Sequence, residues 1–211
     1  MAKKQALLPR PLSWSGLDLW ERNPEEYKDV YFKGYRKYEN DAMRFGKHIA
    51  NVLCGKEKPK NHIEQSVKLL AKGWGNQETE IKVKYKSPYG NIELIGYLDD
   101  RSKDFTEFLD TKTGTGKWTQ KKAEKHGQLH YYYLLVLLAH GTRAHKAYIQ
   151  HLDTKLDESE KYGRKLTGHI YTYEVYLEIG HELEIRRRID EAVRGISQAY
   201  TAYLLEEANN N

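Results

Sequence analysis

Asp110 and Lys112 are the residues whose types and spacing most directly suggest chemistry. They lie two positions apart in FLDTKTG, residues 108–114, a strand-like stretch that would place both side chains on one face of a sheet. Asp99 follows Gly96 in a Gly-x-x-Asp pattern on the preceding predicted strand. The connection between these two strands is short, so we expect them to pair and to bring Asp99 near Asp110.

Two neighbouring carboxylates at a strand edge suit Mg²⁺, which takes oxygen ligands and usually keeps several waters. A bound divalent ion activates water and stabilises charge on a phosphoryl oxygen. A nearby ammonium, such as that of Lys112, can orient the attacking water or neutralise developing charge. This combination of residue types therefore indicates phosphodiester hydrolysis.

An isolated Asp-x-Lys carries little information, because residues this common meet at that spacing about once by chance in a chain of this length. The sequence contains a second copy, Asp153-Thr154-Lys155, within HLDTKLD. That copy has no Gly-x-x-Asp one strand earlier, and it runs into a polar stretch at 157–159 that we interpret as a solvated loop. We assign the chemistry to the first copy, for which an exposed ion pair is the alternative interpretation.

A long helix is predicted from about Trp118 to His140. On this helix Gln128 and Tyr132 lie four residues apart, and Lys121 and Lys125 precede them at offsets that place all four near one face. Cations, an amide and a phenol on one face suit contact with a phosphate backbone and a base. A solvated basic face is the alternative that the sequence leaves open.

His48 lies on the polar side of another predicted helix, two residues after Gly46. A single histidine is more often a surface or core residue than a metal ligand. If His48 joined the two aspartates, its imidazole would shift the site from Mg²⁺ towards Mn²⁺, because it is a softer donor than a carboxylate.

The composition fits one globular domain. The 211 residues carry a net charge of +5, which indicates an anionic partner only weakly. We expect one domain over 1–211, with flexible segments at 1–12 and 207–211. The sequence has neither an apolar run long enough for a membrane span nor a secretion leader, so we expect a soluble protein without membrane contact. The single cysteine, Cys54, excludes an internal disulfide and a cysteine-ligated iron–sulfur cluster and favours a reducing cytoplasm.

Periodicity divides the chain into a helical first third, a strand-rich middle and a helical end. Asparagine caps predict helix starts at Asn23 and Asn40, and a further helix is predicted from Asn61 to Lys72. An apolar stripe every three or four residues predicts the final helix. Alternating and apolar segments predict five strands, at 80–86, 92–100, 105–113, 144–151 and 169–176.

In order, several elements of the sequence resemble the PD-(D/E)XK nuclease superfamily, specifically the RecB-type branch that includes lambda-type exonucleases. These elements are Gly46-Lys47-His48, an acid at Glu80, GYLDD at 96–100, FLDTKTG at 108–114 and Gln128-x-x-x-Tyr132. The opening SWSGLDLWERNPEEY, residues 13–27, is also similar to the start of such domains. The ordered series is more specific than any one member.

The resemblance implies a fold and a set of site residues. The fold is an α/β (α+β) restriction-endonuclease-like core, a mixed central β-sheet flanked by helices in the order α-β-β-β-α-β, with extra N- and C-terminal helices. The implied metal ligands are His48, Asp99, Asp110 and the main-chain carbonyl of Thr111. The implied catalytic residues are Asp99, Asp110, Lys112 and Glu80 as an accessory acid. Gln128 and Tyr132 would brace the site or touch DNA. Glu78 remains an alternative to Glu80, and Asp100 an alternative to Asp99.

The implied function is an Mg²⁺- or Mn²⁺-dependent DNA nuclease. The RecB-type motif order favours an exonuclease that acts on the ends of linear duplex or single-stranded DNA, leaves 5′-phosphates, and serves recombination, repair or phage DNA processing. The alternatives are an endonuclease of the same fold and a non-catalytic DNA-binding protein. A single-strand annealing or single-strand-binding protein is the partner that such a nuclease suggests, and a homo-oligomer is left open. The expected location is the bacterial cytoplasm, or the host cytoplasm for a phage protein.

Two other kinds of site are disfavoured by spacing. The stretch KTGTGKWT departs from the phosphate-loop pattern, because Thr111 replaces the first glycine and Trp118 replaces the Ser or Thr, so no nucleotide cofactor is expected. His126 and His130 lie four residues apart but lack the glutamate of a His-Glu-x-x-His zinc site.

Overall fold

The computed structural model describes residues 7–35, 39–75 and 78–210. The helices in these ranges are α1 (Trp14–Arg22), α2 (Pro24–Tyr31), α3 (Asp41–Leu53), α4 (His62–Leu70), α5 (Gln120–Glu124), α6 (Gly127–His140) and α7 (Ile179–Asn209). The strands are β1 (Leu12–Ser13), β2 (Thr79–Ser87), β3 (Gly90–Leu98), β4 (Asp100–Arg101), β5 (Glu107–Gly114), β6 (Lys146–Leu156) and β7 (Arg164–Tyr176).

The strands form two mixed sheets. The first has the order β1-β3-β2, with β1 parallel to β3, and the second has the order β4-β5-β6-β7, with β5 parallel to β6. The predicted fold class, a mixed α+β architecture with flanking helices, is confirmed. The predicted single sheet is instead divided in two. After β3 the chain pairs with β5 through the short strand β4, where Asp100 lies opposite Leu109, and this pairing belongs to the second sheet.

Helices pack on both faces of the second sheet. On β6, Ile149 belongs to the main hydrophobic core with residues of α6 and α7, whereas Leu152 belongs to a smaller core with Phe45 of α3 and Val67 of α4. Because side chains alternate along a strand, these two residues of β6 face opposite ways. The part of β5 that carries Asp110 therefore lies between α6 on one face of the sheet and α3 on the other.

Asparagine side chains begin three of the helices, as predicted. Asn23, Asn40 and Asn61 each accept a hydrogen bond from the backbone N–H three residues later, at 2.9 to 3.2 Å. Pro24 occupies the first helical position after Asn23, where its missing N–H has no intrahelical partner to lose. These local bonds set the starts of α2, α3 and α4.

The prediction of one helix from Trp118 to His140 is wrong. The helix is broken between α5 and α6, and His126 has an extended backbone. The side chain of His126 makes an edge-on contact with Trp118 at 5.2 Å, and a Cβ on Gly127 would lie 2.3 Å from Trp14. The packing of His126 and Gly127 against these two indoles therefore stabilises the break, although the local sequence favours a continuous helix.

The described part of the N-terminal segment is packed. Leu8 and Leu12 are buried, and Leu12 lies opposite Leu94 in the first sheet. Residues 207–209 belong to α7. Positions 1–6 and 211, for which flexibility was also expected, lie outside the described residues. Across residues 7–35, 39–75 and 78–210, no helix combines the length and apolarity needed to cross a bilayer.

Gly96 allows α6 to lie directly on β3. A Cβ at this position would lie 2.5 Å from Leu135 Cδ1 and 2.9 Å from Tyr132 Cε1. We expect Gly96→Ala to destabilise the fold by about 1–3 kcal/mol, because overpacking forces side chains off their rotamers. Urea denaturation measures this loss. Gly180→Ala in α7, where a Cβ meets nothing within 4 Å, is the matched control, and equal stability of both variants would contradict the assignment.

Candidate active site

Asp99 and Asp110 converge at the point where β3 leaves the first sheet. Asp110 is buried on β5, and Asp99 lies in the single-residue step between β3 and β4. The Oδ2 atom of Asp99 accepts a 2.6 Å hydrogen bond from the backbone N–H of Thr111, the next residue after Asp110. After burial, repulsion from Asp110 is the next cause that raises the pKa of Asp99, so the two carboxylates lie close together.

Lys112 links Asp110 to α6. Its Nζ lies 2.8 Å from Asp110 Oδ2 and 3.2 Å from Asp110 Oδ1, and it donates a 2.7 Å hydrogen bond to Gln128 Oε1. Gln128 in turn donates from Nε2 to the Tyr132 hydroxyl at 2.7 Å. Burial, followed by repulsion from Asp110, raises the pKa of Tyr132, which keeps its phenol protonated. Four predicted site residues thus form one chain of contacts.

The donor set at this edge fits a divalent cation. Among the described residues, Asp110 Oδ2 is buried and accepts no hydrogen bond of good geometry, although Lys112 Nζ is close enough for an ion pair. A buried carboxylate oxygen left in this way is costly unless another group uses it. Within the described part of the chain, no cluster of three or more His, Cys, Asp or Glu is arranged to hold a metal. A carboxylate pair with waters matches the habits of Mg²⁺ better than those of Zn²⁺.

The Asp99 carboxyl is unusually basic. Burial and then repulsion from Asp110 raise its pKa from 3.8 to about 7, against the opposing hydrogen bond from Thr111. Between these two values the folded chain holds a proton that the unfolded chain has lost. The free energy of unfolding contributed by this group therefore falls as pH rises across that interval.

We expect this effect in protein kept free of metal with a chelator. The stability of the unaltered protein should drop between about pH 5 and about pH 8 relative to Asp99→Asn, whose side chain is neutral at both values. Urea denaturation at a series of pH values measures the difference. A stability difference between the two proteins that does not change with pH would contradict the placement of Asp99 beside Asp110.

Asp100 serves a different purpose from Asp99. Its Oδ2 accepts hydrogen bonds from the backbone N–H groups of Trp74 at 2.7 Å and Gly75 at 3.1 Å, and its Oδ1 accepts one from Arg101. These contacts fix the loop that follows α4. The structure therefore favours Asp99 over Asp100 as the carboxylate that faces Asp110.

Glu78 and Glu80 were open alternatives for the accessory acid, and the structure separates them. Glu80 on β2 lies opposite Tyr97, is exposed and hydrogen-bonds the Tyr97 hydroxyl. Two cavities of the molecule are each lined by both Glu78 and Asp99. Glu78 is also close enough to Asp99 to contribute to the raised pKa of the Asp99 carboxyl. Of the two glutamates, Glu78 is the one that the fold places at the site.

His48 has a separate polar environment. Its ring is buried, Nδ1 lies 2.6 Å from Glu57 Oε2, and Nε2 lies 3.3 Å from both carboxylate oxygens of Glu64. Both ring nitrogens therefore face carboxylates other than Asp99 and Asp110. Sequence reasoning missed Glu57 and Glu64, which come from the loop after α3 and from α4. The role of His48 as a metal ligand stays a prediction.

The lysines before α6 do not share a helical face with Gln128 and Tyr132, because the helix is broken. Lys121 lies on α5, and Lys125 follows as its C-terminal cap. Both side chains are exposed. The helical geometry behind their assignment is therefore wrong, and their contact with DNA stays a prediction.

The second Asp-Thr-Lys copy lies within β6, which ends at Leu156, and the predicted loop at 157–159 follows it. Asp153 Oδ2 accepts a 2.8 Å hydrogen bond from the Thr167 hydroxyl of β7, and Lys155 is exposed. Neither residue contacts the carboxylate pair through any bond among the described residues.

No family model and no curated protein matches the chain. Solved structures match its fold. A candidate exonuclease from Eubacterium rectale superposes with a TM-score of 0.57 at 9 % identity, over 92 % of this chain and 82 % of its own. A phage-related exonuclease from Haemophilus somnus 129PT gives 0.51 at 16 % identity, over 90 % and 84 %. The chain has the fold of these two exonuclease structures.

This nuclease-like fold agrees with the motif order of the sequence. The Gly-x-x-Asp motif lies at the end of β3, the Asp-Thr-Lys motif lies in the middle of β5, and the Gln-x-x-x-Tyr motif lies on α6. Identities this low describe the fold alone, so the chemistry depends on the side chains of this chain.

Proposed function

We propose that the protein is a divalent-metal-dependent deoxyribonuclease that hydrolyses phosphodiester bonds at DNA ends. The observation that carries the proposal is the side-chain constellation around Asp110. One buried carboxylate oxygen pairs with the Lys112 ammonium without a hydrogen bond of good geometry, and Lys112 joins this carboxylate to Gln128. A surface ion pair needs neither a buried acid nor a third partner on another element.

Asp99 and Asp110 would hold the ion, with Glu78 close by. When bound, such an ion lowers the pKa of water and offsets charge on the phosphoryl group. The aspartates must be ionised for this, so the raised pKa of Asp99 predicts stronger metal binding above about pH 7 than below it. His48 would have to leave Glu64 to reach the ion.

Lys112 is the residue that would act on the substrate. An ammonium has three protons, and the described structure shows partners for two of them, Asp110 and Gln128. The third can point to the attacking water or to a phosphoryl oxygen. As water attacks phosphorus, the bond to the 3′-oxygen breaks, that oxygen takes up a proton, and the other product keeps a 5′-phosphate. Gln128 and Tyr132 hold Lys112 in place during this step.

The test compares linear duplex, single-stranded and closed circular DNA with Mg²⁺, with Mn²⁺ and with chelator. We expect metal-dependent release of nucleotides from both linear forms and no attack on closed circles. Equally fast digestion of closed circles would support an endonuclease. Binding of DNA without cleavage in either metal would favour a non-catalytic DNA-binding protein and would contradict the proposal.

A further inference from the structure

Trp74 is an exposed indole in the loop between α4 and β2. Of the four tryptophans in the chain, Trp14, Trp20 and Trp118 pack against the main core, whereas Trp74 has 36 % of its surface exposed. Packing of the core does not explain its position.

Buried polar groups hold residues 72–75, here called the Trp74 loop, against the second sheet. Asp100, which is 8 % exposed, accepts hydrogen bonds from the backbone N–H groups of Trp74 and Gly75. Gln150 on β6 is fully buried and donates from Nε2 to the Lys72 carbonyl at 2.9 Å. A Cβ on Gly73 would lie 2.7 Å from Asp100 Oδ2. Two polar side chains of the second sheet, Asp100 and Gln150, thus hold this loop by hydrogen bonds.

The fixed loop places the exposed ring of Trp74 beside a cation and the buried ring of Tyr148. The ring centroids of Trp74 and Tyr148 are 6.1 Å apart. Lys72 Nζ lies 3.7 Å from the Tyr148 centroid and 5.5 Å from that of Trp74. Aromatic side chains interleaved with cations are the usual means by which proteins bind unpaired nucleic acid, because bases stack on the rings and phosphates meet the charges.

The Trp74 loop also forms one wall of a cavity of about 310 Å³ that reaches the candidate active site. Asp99 and Thr111 line the cavity on the side of the carboxylate pair, and Lys56, Lys68 and Lys72 contribute positive charge. Its volume is at the lower end of the range of small-ligand sites, about 300–1,000 Å³. Lys72, Gly73 and Gly75, the neighbours of Trp74, therefore lie on the same cavity as Asp99.

We propose that this cavity and the Trp74 loop bind an unpaired DNA strand, with one base stacked on Trp74 and its phosphates beside Lys68 and Lys72. Inside an intact duplex the bases have both faces covered by their neighbours, whereas each base of an unpaired or frayed strand can turn a face to the indole. The inference deepens the proposed function by naming the form of the substrate, and it rests on that function for the chemistry at Asp99.

The test measures binding in the presence of chelator, where hydrolysis is not required. A fluorescein-labelled oligothymidylate of about 12 nucleotides is titrated with the unaltered protein, Trp74→Ala and Trp74→Phe, and anisotropy reports the affinity. We expect Trp74→Ala to weaken binding about 5- to 150-fold, as for loss of one stacked base. Trp74→Phe should stay within about threefold, because a ring remains to stack. The oligonucleotide should also quench tryptophan fluorescence of the unaltered protein but not of Trp74→Phe.

Tyr89→Ala is the matched control, because Tyr89 is an exposed aromatic residue at the opposite end of the β2–β3 hairpin. It should bind the oligonucleotide as the unaltered protein does. Unchanged affinity of Trp74→Ala, an equal loss for closed circular duplex, or no binding by the unaltered protein would overturn the inference. Trp74-dependent binding without cleavage would overturn the proposed function alone, and cleavage with Trp74-independent binding would overturn the inference alone.

Discussion

Asp110→Asn is expected to lower the rate of DNA cleavage by at least about a thousandfold, which corresponds to about 4 kcal/mol of transition-state stabilisation. The amide has nearly the same shape as the carboxylate but lacks the charge that would hold a cation and that pairs with Lys112 at 2.8 Å. The fold should persist, because the substitution adds no volume. Initial rates on end-labelled linear DNA, with denaturation curves beside them, measure both quantities.

The second Asp-Thr-Lys copy provides the control for this substitution. In Asp153→Asn the remaining side-chain oxygen can still accept the hydrogen bond from Thr167, so cleavage should stay within about twofold of the unaltered rate. Equal losses in the two variants would show that the choice between the copies, and with it the location of the active site, is wrong.

Lys112→Met is expected to lower kcat by about 10²–10³-fold, as for removal of one preorganised donor to developing charge. Binding of Mn²⁺ should be retained or strengthened, because the ammonium of Lys112 lies against Asp110 and repels a second cation. This separation of catalysis from metal binding distinguishes a catalytic lysine from a structural one. Single-turnover rates and calorimetric titration with Mn²⁺ measure the two effects.

Lys155→Met is the matched control, since Lys155 is exposed and lies at the same place in the second copy. It should leave both the rate and the metal affinity unchanged. If Lys112→Met lost metal affinity and rate in the same proportion, the lysine would be supporting the site and not acting on the substrate.

Local pattern was sufficient to predict the elements that carry the site. The alternation of Ile81, Val83 and Tyr85 with lysines identified β2, whose observed bounds exceed the prediction by one residue at each end. The Asp-x-Lys spacing placed Asp110 and Lys112 on one face of β5, and a helical repeat of four placed Gln128 next to Tyr132. Each of these relations spans a few residues, so it is encoded in the local sequence.

Relations between distant segments could not be predicted in this way. Asp99 and Asp100 are adjacent and chemically alike. Asp100 is the one that accepts hydrogen bonds from the backbone of Trp74 and Gly75, about 25 residues earlier. The separation of Glu78 from Glu80 likewise depends on where β2 begins. His48 contacts Glu57 and Glu64 because α4 folds back on α3. The periodicity of neither helix predicts that contact.

A crystal structure of the protein grown with Mn²⁺ above pH 7 would show whether Asp99 and Asp110 share a metal ion, because the anomalous signal locates the ion without reference to activity. We expect a peak within about 2.5 Å of Asp110 Oδ2 and of an oxygen of Asp99. A peak confined to His48, Glu57 and Glu64, or no peak beside Asp110 at a saturating concentration of the ion, would contradict a shared site.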